Sequence, residues 1–229
     1  LTAMGDPHER LPVVHVAGTN GKGSTASFVA AIASASGLRT GLHTSPHLLH
    51  LRERMRVDGV PASGAWLPAA VERHADAVRE IGPSFFEATD ALSVLYFAER
   101  EVDVAVVEVG LGGRLDATNV IARPLASLVT HIGMDHTDLL GDTPEAIARE
   151  KAGIAKPGAP FLHALPPGLV RDALESEART RGATPEAVRD TVHISASGAE
   201  VTIQSRDATV EPVRRGLVGA HQASNAALA

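Results

Sequence analysis

The stretch HVAGTNGKGSTA, residues 15–26, governs how the rest of the chain is read. It starts in an apolar, β-branched run (LPVVHVAG, 11–18) and ends in an alanine-rich segment (STASFVAAIASASG, 24–37). A strand, a glycine-rich turn and a helix are therefore expected in succession. In that setting backbone N–H groups and the positive end of a helix dipole cradle phosphate. Gly18, Gly21 and Gly23 allow a tight turn close to an anion, and Lys22 adds a full positive charge. The spacing departs from the common G-x-x-x-x-G-K-[ST] pattern. Val16 stands where its first glycine would be, and Gly23 follows the lysine, with Ser24 one place later. We read a variant phosphate cradle with its helix starting near Ser24, and with magnesium ligands supplied from elsewhere. The plainer alternative is a strand-to-helix turn with an exposed lysine.

The same alternation continues downstream. LRTGLHTSP reads as a second strand broken by Pro46, and VDVAVVEVG and LASLVTHIG as buried strands. Helices are expected in GAWLPAAVERHADAVREIG from about Pro68, in FFEATDALSVLYFAERE with an apolar stripe at Ala88, Ala91, Leu92, Leu95 and Tyr96, and in TPEAIAREKAGIA from Thr143 and Pro144. After about residue 159 come a strand (APFLHA), a helix (PPGLVRDALESEARTRG) and a hairpin pattern around Ser197-Gly198. Strands alternating with helices predict a doubly wound, mainly parallel α/β sheet with a small β-rich element near the C-terminus.

Bulk composition narrows the function classes. The 229 residues are 44% hydrophobic and 21% charged, values of an ordinary globular chain. A formal net charge of -6 argues against broad nucleic-acid or membrane binding, and no apolar run is long enough to span a bilayer. Cysteine is absent, which excludes disulfides and thiolate sites and fits a cytoplasmic protein.

Ligands of doubly wound sheets bind at the carboxyl ends of the strands. Ser45 in HTSPH, Glu108 at the end of DVAVVEVG and His136 in HIGMDHTDLLG all fall there, on the rim that carries the glycine-rich loop. A hydroxyl, a carboxylate and an imidazole suit a cation beside phosphate, although histidine is an unusual magnesium ligand. Singly, Ser45 is as well explained as a turn residue and His136 as a cap. GLGGRLDATNV, residues 110–120, adds a close-approach loop with Arg114, Asp116 and Asn119, and PSFFEATD offers Phe85 and Phe86 at a helix start.

HVAGTNGKGSTA, TSPHL, FFE, EVGLGGRLDATN, HIGMDHTDLLG, REKAGIAKPG and GLVGAHQASNAALA occur in that order. In them the chain resembles the folylpolyglutamate synthase/dihydrofolate synthase family of the ATP-dependent Mur ligase superfamily. The resemblance implies that Thr19, Asn20, Gly21, Lys22, Gly23 and Ser24 hold ATP phosphates, and that His221 and Asn225 meet the adenine. It implies one magnesium ion on Ser45 and Glu108, and a second on His136 and a carbamate carried by Lys151. On the residues alone, Lys151 reads as a solvated helix lysine. Phe86, Asp116 and Ala117 match positions that hold a pterin, and Lys22, His136 and Lys151 match catalytic positions. The implied substrates are ATP, L-glutamate and dihydropteroate or folate, joined through an acyl phosphate, and a monomer is expected. Residues 1–229 then form the ATP-binding domain, with the family's glutamate-binding C-terminal domain absent and ligation by this chain alone not expected. The rival readings are another amide ligase of the superfamily and a nucleotide-binding module inactive without its partner domain.

Overall fold

Eight short strands form one sheet because most of them carry apolar side chains on both faces. The computed structural model describes residues 1–197, 200–205, 209–214 and 216–229. From the N-terminus run β1 (Val13–Ala17), α1 (Lys22–Ala35), β2 (Thr40–His43), β3 (Met55–Val57), β4 (Val60–Pro61), α2 (Trp66–Arg73), α3 (Ala75–Ile81), α4 (Phe85–Glu99) and β5 (Val104–Glu108). They are followed by β6 (Ala126–Val129), α5 (Thr137–Leu140), α6 (Pro144–Ala152), β7 (Pro160–His163), α7 (Leu169–Thr180), β8 (Thr184–Ala187) and α8 (Val188–Thr191). A second sheet holds β9 (His193–Ser197), β10 (Glu200–Gln204) and β11 (Thr209–Arg214), and α9 (Gln222–Leu228) closes the described chain.

The large sheet has the order β4-β3-β2-β5-β1-β6-β7-β8. Strands β2, β5, β1, β6, β7 and β8 are parallel, and β3 and β4 extend one edge antiparallel. β1 lies between β5 and β6, so the loops leaving it diverge from those of its neighbours and open a crevice at the carboxyl edge.

The two-residue period of a strand sorts side chains between the layers. Val16, Leu42 and Val106 pack with Ala26 and Ala30 of α1 on one face. Val13, Ala105 and Val107 pack with Leu92, Leu95 and Phe97 of α4 on the other. A third cluster, including Val129, Ile147, Ile154, Phe161 and Leu174, fills the space under α6 and α7. By this count Glu108 falls on the α1 face, with Val106, and His43 falls on the α4 face, opposite Leu42.

Most predicted elements are present, with local corrections. The first loop's helix begins at Lys22, not Ser24. The helix expected from Pro68 starts at Trp66 and breaks at His74 into two. The small β element has three strands; the β9–β10 hairpin pairs Ser197 with Glu200, and its predicted turn residue Gly198 lies outside the described residues. The edge strands β3 and β4 and the edge strand β8 were not expected. The first two hold three and two residues, too few for alternation to register. The third, TPEA, carries a proline and an acid that only an edge tolerates. No helix among the described residues is long and apolar enough to cross a membrane.

Gly41 tests the packing. A Cβ there would lie 2.8 Å from the ring of fully buried Phe97. Gly41→Ala should destabilise the fold by about 1–3 kcal/mol through overpacking, and Phe97→Leu in the same chain should recover part of the loss. Urea denaturation of the three variants checks this.

Candidate nucleotide and ligation site

The glycine-rich loop is tied on both sides. Gly21 caps α1 with φ 88°, a left-handed conformation that other residues rarely adopt. Toward β6, the Thr19 N–H donates to the His131 carbonyl at 2.6 Å, Thr19 Oγ1 exchanges bonds with both backbone groups of Gly133, and Thr130 Oγ1 donates to the Asn20 carbonyl at 2.7 Å. Toward α9, Gln222 Nε2 donates to Ser24 Oγ at 3.2 Å and Asn225 donates to Gln222 at 2.8 Å. Asn225 also lies against Gly21, where a Cβ would stand 2.7 Å from its Oδ1. His221 is exposed at the start of α9. Lys22 Nζ rests on the Thr19 carbonyl at 3.2 Å.

Glu108 and Ser45 lie together at the carboxyl edge, joined through the Ser45 backbone rather than its hydroxyl. The Ser45 backbone N–H donates to Glu108 Oε2 at 3.1 Å. Burial raises the Glu108 pKa, while that N–H and the charge of Lys22 pull it down. Gly23 sits close to the carboxylate: a Cβ at 23 would stand 3.3 Å from Glu108 Oε2, a tight contact. A cleft of about 400 Å³ opens here, lined by Gly21, Gly23, Ser24, Ser45 and Glu108 among others.

Lys151 overturns the residue-based expectation of a solvated lysine. It is 3% exposed on α6, and its pKa falls from 10.5 to about 8. Burial is the main cause; Lys22 adds to it, and Asp135 and Asp116 oppose it. Lys22, Asp116, Asp135 and Lys151 therefore share one electrostatic neighbourhood. His136 is exposed, has a left-handed backbone (φ 46°) and turns its Nε2 to Asp135 at 3.5 Å. No direct contact joins it to Lys151 among the described residues.

On the α4 side, Ser84 and Glu87 form a capping box that starts the helix at Phe85. Phe86 lies over Gly110, where a Cβ would meet its ring at 2.0 Å. Asp116 is already occupied within its loop. Its carboxylate accepts from the Leu111 N–H at 2.8 Å, the Thr118 N–H at 3.0 Å and the Thr118 hydroxyl. Because that hydroxyl donates to Asp116, His15 must donate Nε2–H to Thr118 Oγ1, at 2.8 Å. His15 is neutral, with a pKa lowered to about 3 by burial first and by the charges of Lys156 and His43 after it.

Behind this loop lies a cavity of about 800 Å³ lined by His43, Asp90, Ser93, Ala117, Thr118 and Ile121 among others. Sequence reasoning missed the first three. Ser93 Oγ donates to the Thr89 carbonyl, so His43 Nδ1–H donates to Ser93 at 2.9 Å. The Nε2 of His43 then faces Asp90 Oδ1 at 3.0 Å, too poorly aligned for a hydrogen bond, and burial raises the Asp90 pKa. Polar residues inside the apolar stripe of α4 were the available signal.

A glycine-rich loop of phosphate-loop type, a buried carboxylate beside it and a buried lysine share the carboxyl edge of a doubly wound sheet, the arrangement of a candidate nucleotide site. Residues 16–229 match the Mur ligase middle domain, and the chain belongs to that family. It is 38% identical to the dihydrofolate synthase/folylpolyglutamate synthase of Bacillus subtilis over 240 residues, covering all of this chain and 56% of the relative. A folylpolyglutamate synthase structure from Thermotoga maritima superposes with a TM-score of 0.92 at 33% identity, covering 100% of this chain and 55% of that one. A folylpolyglutamate synthase complex with AMPPCP and folate gives a TM-score of 0.89 at 35% identity, covering 99% of this chain and 58% of that one. The chain thus spans a little over half the length of these relatives.

The lowered pKa of Lys151 fixes a pH dependence. Below about pH 8 the folded state must bury a charged ammonium that the unfolded state leaves in water. Between about 8 and 10.5 the unfolded chain binds more protons, so stability should rise with pH through that window. Chemical denaturation at several pH values in bicarbonate-free buffer, where Lys151 is an unmodified amine, should show this rise in the native chain and a smaller rise in Lys151→Met, the remainder coming from groups such as Lys156.

Proposed function

We propose that this chain is the nucleotide-binding part of an ATP-dependent ligase that joins L-glutamate to a pteroate- or folate-type acid. The observation that carries the reading is one rim: the phosphate loop, Glu108 with Ser45, and Lys151 lie on the carboxyl edge beside the Phe86 and Asp116–Ala117 elements. The Bacillus subtilis relative and the folate-bound structure support the choice of acid.

In this reading the N–H groups at the start of α1 and the ammonium of Lys22 take the ATP phosphates, with Lys22 leaving the Thr19 carbonyl on which it rests. Gln222 and Asn225 brace the loop from α9. The adenine is assigned beside His221 and Asn225. An oxygen of the substrate carboxylate attacks the γ-phosphorus and ADP departs. The glutamate amine then attacks the carbonyl carbon of the acyl phosphate, phosphate leaves, and the amine gives up a proton.

Glu108 fits a magnesium ion: its buried carboxylate receives one backbone N–H and faces Lys22 across the loop. Glu108 and Ser45 would hold the ion, which when bound offsets phosphate charge. His136 and an unmodified Lys151 do not make a second cation site, because an ammonium repels a cation. Yet Lys151 has a larger neutral fraction than an ordinary lysine, and carbon dioxide adds only to the neutral amine. We assign Lys151 a carbamate, which reverses its sign and would join His136 in holding a second magnesium ion.

Ala117 lines the larger cavity, and Phe86 offers an aromatic face next to it for the pterin. Asp116 retains one of its roughly four acceptor positions for the pterin's amino edge, while holding the loop with the other three. The amino-acid acceptor is assigned to the portion of the relatives that this chain does not span.

Two measurements test the scheme. Lys22→Ala should weaken MgATP binding about tenfold or more with unchanged circular dichroism; unchanged affinity in calorimetry would sink the loop assignment. Carbon-13 NMR of the protein in labelled bicarbonate should show a carbamate resonance that disappears in Lys151→Arg. A native spectrum lacking it would remove the carbamate from the scheme.

A further inference from the structure

Arg54 is a buried cation without a counter-ion. It ends a short 3-10 turn, Leu51–Arg54, and is only 8% exposed. Its Nε–H donates to His47 Nδ1 at 3.0 Å, and its guanidinium carbon lies 5.4 Å from the centre of the Phe85 ring. Among the described residues no carboxylate is within ion-pair distance of it, and its two Nη nitrogens have no hydrogen-bond acceptor. Asp90 feels its charge only from farther away.

A guanidinium is always protonated and carries five N–H donors, so four remain unused here. Most of the side chain is buried, but the Nη groups are not sealed from water, so they can meet an anion that arrives from solvent. Its orientation is fixed beforehand: the imidazole holds the Nε edge, the aromatic ring covers one face, and the Nη edge is left open. The two residues that hold it flank candidate site residues in sequence: His47 follows Ser45 by two residues, and Phe85 precedes Phe86 at the start of α4.

We propose that the Nη edge of Arg54 receives the carboxylate of the acid substrate, fork to planar oxyanion, and so selects an ionised acid over its uncharged analogues. The inference rests on the ligase reading above and adds a specificity residue to it. A planar two-donor edge matches a carboxylate better than a point charge does. A nucleotide phosphate is the competing oxyanion, and the test separates the two.

Calorimetry with pteroate and with its carboxamide, each with and without MgATP, reads the contact directly. The native chain should prefer the acid about tenfold or more, and Arg54→Gln should bind acid and amide alike while keeping its MgATP affinity within about twofold. Arg54→Lys, which retains charge but not the fork, should recover little of the preference. A folded Arg54→Gln that still prefers the acid overturns the proposal, as does a loss of MgATP affinity with pteroate binding intact. Should neither variant fold, the native chain decides: preference for the acid supports the contact and equal affinity rejects it. If the native chain binds neither compound, the ligase reading itself fails and this contact falls with it.

Discussion

The carboxylate of Glu108 is the constraint around which the rim is built. Strand alternation delivers it to the α1 face at the end of β5, where it is buried and receives one backbone N–H, from Ser45. A side chain at position 23 would crowd it. The serine that the common loop pattern places directly after the lysine stands here at 24, where Gln222 of α9 engages it. The irregular loop, the turn after β2 and the C-terminal helix are one arrangement, fitted to a negative charge held out of water.

Glu108 is one of several rim charges incompletely neutralised by their neighbours. Lys151 is buried beside another ammonium, Arg54 faces an aromatic ring and an imidazole, and Asp90 is set against a histidine in poor alignment. Each costs folding energy that a fully apolar rim would spare. Such groups are also oriented in advance, so a bound ligand meets dipoles and charges that need no rearrangement. The marginal electrostatics of the folded chain and its capacity to bind are thus the same property.

The central strands and the phosphate loop were legible because burial on both faces writes continuous apolar runs and because tight turns need glycine. Helix α4 was announced by its apolar stripe, and the structure adds a Ser84–Glu87 capping box at its start. Edge strands as short as Val60–Pro61 leave no period to detect. The candidate site was legible in part. Glu108 and Ser45 could be placed from strand ends alone, and they meet. Lys151 could not, since its depth depends on packing set by residues far away in sequence, and only family resemblance singled it out. His43, Asp90 and Arg54 escaped for a related reason: sequence indicates which face a side chain takes, but not whether a partner waits there.

The alternation of β2 and β5 has a broader consequence. Leu42, Val106 and Glu108 look toward α1 and its glycine-rich loop, while Gly41, His43 and Val107 look toward α4 and the larger cavity. The sheet is a partition, one peptide thick, between two separate hollows. On the proposed function, residues facing α4 are free to change the accepted acid while those on the reverse side, facing the nucleotide, stay fixed. Recognition and phosphate chemistry would then be separable by substitution.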